Sequence, residues 1–240
     1  LIVTGVQTCA LPICRACWFM HTEIANWKLI SRDVQGICRY IVLLLAASSF
    51  TDCCLRNRSE LFFVLIAGHE LGRADGALLA LLCDPDAAAA AHQAGEGAVL
   101  RGLAVGGRHG PDGVRPVRED FEVVRLGSGR FTATGPMYGG NRMDLGPMAL
   151  LRPCAAPGVE VAVASRRLQA ADRAILQHLG VDPAQKRILA LKSSVHFRAD
   201  FEALASEVLV VAEPGSNVAN PGLLPFRHLP SGLRREPRSS

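Results

Sequence analysis

Long apolar runs are missing from this 240-residue chain. The longest, such as Ile41 to Ala47, fall far short of the roughly 20 residues that a membrane-spanning helix needs. Charge of one sign is missing too. The 26 Lys and Arg against 22 Asp and Glu leave +4, scattered along the chain, so neither nucleic acid nor a membrane is implied as a partner. A charged fraction of 20% and a hydrophobic fraction of 49% exclude a disordered or collagen-like chain. What remains is a globular protein, long enough to bury most of its unfolded surface as one large domain or two small ones.

Other absences are local. Of nine Ile, only Ile175 and Ile188 lie beyond residue 73, and beyond that point Lys186 and Lys192 are the only lysines. Six of eight Cys fall before residue 55, whereas 13 of 14 Pro and 27 of 33 Ala come from residue 74 onward. A single selected domain rarely changes composition so sharply, and the Arg-for-Lys bias of the later part is that of a G+C-rich coding sequence. The opening adds to this. Val3 to Ile13, VTGVQTCALPI, resembles the in-frame translation of a sequencing-library adapter, and no initiator Met precedes it. Residues 1–73 are therefore expected to be a chimeric segment and are set apart from the fold. Should they belong to it, Leu61 to Ala67 reads as a buried strand and Tyr40 to Ala47 as a strand or short core helix.

Cys14-x-x-Cys17, Cys38 and the Cys53-Cys54 pair invite a zinc reading, but adjacent cysteines seldom supply both thiolates to one ion. Chance cysteines are the plainer account. Cys83 and Cys154 read as buried apolar residues in a reducing compartment, the cytoplasm.

From residue 74 the pattern is consistent. Leu78 to Leu82 is an apolar strand, and Asp84-Pro85 supplies an N-cap acceptor and a proline at the first position of a helix that runs to Ala94 and closes at Gly95. His92 on it reads as a surface or packing histidine. Ala98 to Val105 reads as a strand. The loop Gly106 to Pro111 lacks the flanks of a phosphate-binding loop. Phe121 to Leu126 and Arg130 to Thr134 read as a hairpin about Gly127-Ser128-Gly129, and Met148 to Arg152 and Val159 to Ser165 as a second antiparallel pair. The alternation of Val159, Val161 and Val163 with Glu160 suggests one buried face. Between the pairs, Gly135 to Pro147 is a Gly- and Pro-rich loop that fits either a ligand contact or a packed connector.

Asp172 can cap a helix from Arg173 to Leu179 that stops at Gly180, and Asp182-Pro183 opens a further turn. Arg187 to Leu191 is a buried strand, Phe197 to Ser206 a helix and Val208 to Val211 the next strand, a βαβ unit. The fold class expected is therefore α/β (α+β), with a hairpin-rich middle followed by a βαβ unit. Ligands of parallel sheets gather beyond the C-terminal strand ends, where Lys192, Ser193, Ser194, His196 and Arg198 fall. Hydroxyls, an imidazole and cations there could bind a carboxylate or stabilise an oxyanion. Alternatively, Ser193 or Ser194 caps the helix and His196 and Arg198 pack on its first turn.

GPMYGGNRMDLGPMALLR (Gly135 to Arg152), VASRRLQAAD (Val163 to Asp172) and LGVDPAQKRILALKSSVHFRADF (Leu179 to Phe201) resemble the C-terminal domain of the microcystinase C (MlrC) family, and the resemblance reaches back through ALLCDPDAAAAAHQAGEGA (Ala80 to Ala98). It covers about residues 75–229. It implies the C-terminal domain of a two-domain zinc metallopeptidase that acts on linear peptides from toxin breakdown, with the zinc ligands on a larger N-terminal domain. None is therefore expected here. The Asp-Asn-Pro-Gly-Gly-Gly-type stretch usual just upstream is absent. His69-Glu70 stands in its place with no second His at position 73, which is Arg73, so no metal role is assigned to it.

On this reading Lys192, Ser193, Ser194, His196 and Arg198 serve catalysis, with Lys192 or Arg198 pairing a carboxylate and His196 bonding substrate. Gly135, Tyr138, Gly139, Gly140, Asn141 and Arg142 bind substrate. The partners implied are a peptide or amide and the N-terminal domain, and the chain alone is expected not to turn over. The alternative is a non-catalytic ligand-binding or interaction module. Residues 230–240, polar and Arg-rich, read as a disordered tail.

Overall fold

The computed structural model describes residues 40–45, 74–106, 116–193, 195–212, 226–230 and 232–233. Ten strands are found among them: β1 (Tyr40–Leu45), β2 (Ala77–Cys83), β3 (Val99–Val105), β4 (Val117–Gly127), β5 (Arg130–Thr132), β6 (Arg142–Asp144), β7 (Met148–Pro153), β8 (Val159–Ala164), β9 (Ile188–Leu191) and β10 (Glu207–Ala212). The helices are α1 (Pro85–Ala94), α2 (Ala174–Gln177) and α3 (Arg198–Phe201), with single 3-10 turns at Pro183–Gln185 and Glu202–Leu204.

Eight strands form one mixed sheet in the order β10-β1-β9-β2-β8-β7-β4-β3, and β5 pairs with β6 apart from it. From β10 to β8 every pairing is parallel, and from β8 to β3 every pairing is antiparallel. Strand β8 carries its alternation further than one buried face. Val159, Val161 and Val163 pack with α1, while Ala162 and Ala164 pack with α2 and α3, so the strand is covered on both sides like other central parallel strands. Glu160 survives there because Arg152 Nη2 donates to its Oε1 at 2.8 Å and Lys186 Nζ donates to its Oε2. Burial raises the Glu160 pKa, but these two cations outweigh it and hold the carboxyl below its ordinary value.

Helix α1 forms where it is expected. Asp84 Oδ1 accepts the Ala87 N–H at 3.1 Å, Pro85 occupies the first turn, and Gly95 ends the helix by donating to the Ala91 carbonyl. Its small Ala87, Ala88 and Ala91 let it lie close on the sheet. His92 is exposed and its Nε2 donates to the Met148 carbonyl at 3.0 Å, a packing role.

Three expectations change. The hairpin about Gly127-Ser128-Gly129 does not form: β4 pairs with β3 and β7, and β5 pairs with β6. The apolar β7, whose Met148 to Leu151 are all buried, fills the place beside β4 that Arg130-Phe131-Thr132, half-buried to exposed, would waste. The βαβ unit spans a gap, because β1 lies between β9 and β10 and pairs with both. Tyr40 to Leu45 thus adopts the strand reading left open for it, and Leu61 to Ala67 lies outside the described residues. Cys83 is half-buried and Cys154 exposed, neither in a disulfide, so Cys154 is not a core residue.

Candidate functional site

Strands β2, β8 and β9 end on one side of the sheet. In register with them, Gly127 closes β4 opposite Met148, which opens β7 opposite Ala164 at the close of β8. The loops 128–147, 165–173 and 192–198 therefore share the end at which parallel strands release their C-termini, the usual place for ligands.

The loop 128–147 is held at three points by the segment after β8. At its start, Gly129 N–H donates to His178 Nε2 at 2.9 Å, and the His178 ring packs on Phe131 with 5.3 Å between centroids. Burial pushes the His178 pKa down, which suits a ring nitrogen that must accept. In the middle, Gly135 N–H donates to Asp172 Oδ2 at 2.8 Å, while Asp172 Oδ1 accepts from Ala174 N–H at 2.9 Å. Asp200 stands beside it, accepting from Arg173 N–H at 2.6 Å and Arg173 Nε at 2.7 Å. A Cβ on Gly135 would come within 2.6 Å of Asp200 Oδ2, so only glycine fits between the two carboxylates. At its end, Asp144 accepts the Gly146 N–H and pairs with Arg166 at 3.0 Å and Arg130 at 3.7 Å. The Gly146 hydrogen bond is the main cause that holds its carboxyl below the ordinary value; burial opposes it, and Arg166 and Arg130 add to the lowering.

Between these anchors the tip projects. Gly139, Gly140, Asn141 and Arg142 are exposed and Tyr138 is half-buried, and Gly140 takes φ 82°, a left-handed turn with open space where a side chain would sit. Gly139 is needed for packing, since its Cβ would lie 2.9 Å from the Gly135 carbonyl oxygen.

The second segment follows β9. Lys192 and Ser193 are 7% and 2% exposed; Lys192 N–H bonds Ala80 and its carbonyl accepts from Ala170 N–H. Ser193 Oγ accepts the Phe197 N–H at 3.0 Å and donates to Gln169 Oε1 at 3.2 Å. Ser193 thus closes the turn that precedes α3, whereas α3 itself has Phe197 at its N-cap position and no side-chain cap, so the capping expected of Ser193 is not made. Gln169 Nε2 donates to His196 Nδ1 at 2.9 Å, and the ring is half-buried. Arg198 is exposed, pairs with Glu202 and lies over the Phe197 ring at 5.3 Å. Ser194 lies outside the described residues, as do His69-Glu70 and most of the Gly106 to Pro111 loop.

Both sequence segments therefore meet at one end, joined through Asp172, Asp200 and Gln169. Asp172 is legible only as a helix cap. Asp200 and Gln169 carry no spacing signal, since the partners that their side chains bond at the site stand 27 residues away in the chain, or 24 for the link from Gln169 to Ser193. The residues fit no zinc centre: among the described residues no group of three or more His, Cys, Asp or Glu could hold a metal ion, and Asp172 and Asp200 give their oxygens to backbone N–H groups and Arg173.

The family model for the MlrC C-terminus matches residues 59–228. The chain belongs to the MlrC C-terminus family. The match begins upstream of residue 74, inside the segment that composition sets apart, and it covers every residue of the site. No curated protein matches. Among solved structures, the MlrC C-terminal chain is similar to a protein from Mesorhizobium sp. BNC1 described as a "putative metallopeptidase", with a TM-score of 0.65 and 25% identity, over 87% of this chain and 39% of that one. The chain thus spans well under half of that protein's length. Among the described residues no helix is long and apolar enough to cross a membrane.

Proposed function

We propose that this chain is the C-terminal part of a zinc-dependent peptidase of the microcystin-degradation type, whose metal centre sits on a larger N-terminal domain that this chain does not supply. The observation that carries the reading is the convergence of the 135–146 loop and the 192–198 segment on the strand-end side of the sheet, within a chain that aligns with a fraction of a longer relative. In this role the anchored tip, with Tyr138, Asn141 and Arg142, orients a peptide, and His196 offers its ring to the substrate. Arg198 is placed to meet a substrate carboxylate by exchanging it for Glu202, an exposed partner worth little by itself. Lys192 and Ser193 hold the segment in place rather than face solvent. Cys83 and Cys154, neither in a disulfide, fit a reducing cytoplasm. The chain alone is expected to be inactive.

The test is reconstitution. The full chain is mixed with the part of the Mesorhizobium protein it does not cover, and hydrolysis of linear peptides is followed with and without a chelator. Chelator-sensitive turnover by the pair alone, cut roughly 10²-fold by His196→Ala, supports the reading. Turnover indifferent to His196→Ala, Arg198→Ala and Asn141→Ala would remove the site from catalysis. The other outcome is a non-catalytic binding module. It predicts peptide binding with no hydrolysis in any mixture.

A further inference from the structure

We infer that Gln169 is a positioning residue that fixes His196 as its Nε2–H tautomer, so that the ring presents a hydrogen-bond donor to an oxygen acceptor of the ligand rather than a base. The inference rests on the reading above for the identity of the ligand as a peptide, but the relay itself stands on geometry. It begins with Ser193, which is 2% exposed. Its Oγ already accepts the Phe197 N–H at 3.0 Å, and its own hydrogen must go to an acceptor. Among the described residues only Gln169 Oε1, at 3.2 Å, takes it. That bond sets the amide with oxygen toward Ser193 and Nε2 toward His196. An amide nitrogen only donates, so His196 Nδ1, at 2.9 Å, must accept and carry no proton. The neutral ring then bears its hydrogen on Nε2, which has no partner among the described residues. Flipping the amide would leave the Ser193 hydroxyl buried without an acceptor, so the three groups order one another in a single direction, from the Phe197 N–H outward to the imidazole.

The chemical consequence is specific. A neutral imidazole with Nε2–H outward cannot take a proton at that nitrogen, but it can donate to a peptide carbonyl or a carboxylate, the acceptor chemistry shared by a peptide backbone and its C-terminus. Gln169 therefore selects between two roles that the histidine could otherwise play.

Long-range 1H–15N correlation spectra of the 15N-labelled full chain, above the titration range of histidine, read the tautomer directly, with the His196 signals identified by their loss in His196→Gln. The expected pattern is the Nε2–H tautomer. In Gln169→Glu, a carboxylate replaces the amide donor and the pattern should move to Nδ1–H; in Gln169→Leu it should relax to a mixture. Circular dichroism checks that each variant is folded. A wild-type Nδ1–H pattern, or a Gln169→Glu spectrum unchanged from wild type, overturns the relay. The spectra do not depend on hydrolysis, so a correct tautomer with failed reconstitution defeats the peptidase reading alone, and active reconstitution with the wrong tautomer defeats the relay alone.

Discussion

At Gly135 the smallest side chain is dictated by two carboxylates rather than by backbone conformation. A methyl group there would meet Asp200 Oδ2 at 2.6 Å and the Asp172 carboxyl carbon at 3.1 Å. Gly135→Ala should cost about 1–3 kcal/mol, as overpacking does, read as a lower denaturation midpoint. The extra cost should largely vanish in an Asp200→Ala background, because the two residues touch and their effects cannot add. Equal costs in both backgrounds would refute the steric account. His178 makes a different prediction. Burial lowers its pKa, so folding favours the neutral ring. Its contribution is therefore fully present above the unfolded value of about 6.5 and is lost as pH falls through that value toward the folded one. Melting temperature should drop from pH 7.5 to pH 5.5 in the wild type and drop less in His178→Gln, which keeps an acceptor for Gly129 but does not titrate. Parallel curves would show that His178 does not sense pH. Neither residue is legible in the sequence, where Gly135 is one of many loop glycines and His178 merely ends a short helix, because both roles depend on partners brought in from another part of the chain.

Elements were legible wherever their cause is local. Helix α1 could be bounded from Asp84, Pro85 and Gly95, and β7 and β8 from apolar runs about Ala155 to Gly158, because caps and turns act within a few residues. The failed β4–β5 hairpin shows the limit. Gly127-Ser128-Gly129 is a good hairpin loop by its own chemistry, yet β7 competes for the same ladder with more buried apolar surface, and a competition between distant segments leaves no local mark. The cap itself can be tested. Asp84 ties the start of α1 to the end of β3, since Oδ1 accepts from Ala87 and Oδ2 accepts from Gly106 at 2.8 Å. Asp84→Ala should lose about 1–2 kcal/mol in chemical denaturation, whereas Asp84→Asn, with one acceptor left, should lose less. Identical losses would mean that charge rather than the acceptor matters. The edge strand β3 is protected by similar means: Gly102 bulges it at φ 58° and its N–H is taken by Asp120 Oδ1 at 2.8 Å, so that donor is not offered to a neighbouring chain.

For the whole molecule, composition and topology pull apart at β1. The adapter-like opening and the shift in Ile, Cys, Pro and Ala set residues 1–73 outside the fold, and the family match starts at residue 59. The sheet nevertheless places Tyr40–Leu45 between β9 and β10 as a parallel neighbour of both. A short segment can fill such a gap whatever its origin, because a parallel ladder is made by extended backbone. Truncation to residues 59–240 separates the two descriptions. If β1 completes the sheet, its loss leaves β9 and β10 with unpaired edges, and the shortened chain should unfold at a lower temperature, bind a hydrophobic dye and pass into oligomers on size-exclusion chromatography. A truncated chain that melts with the full chain, stays monomeric and binds no dye would show that residues 1–58 add nothing to the fold. His178 gives an internal control, since it bonds Gly129 just after β4, which β2, β8 and β7 separate from β9 and that gap. The pH dependence assigned to His178 should persist in the shortened chain if only the β9–β10 edge is disturbed, and should disappear if the sheet as a whole requires β1.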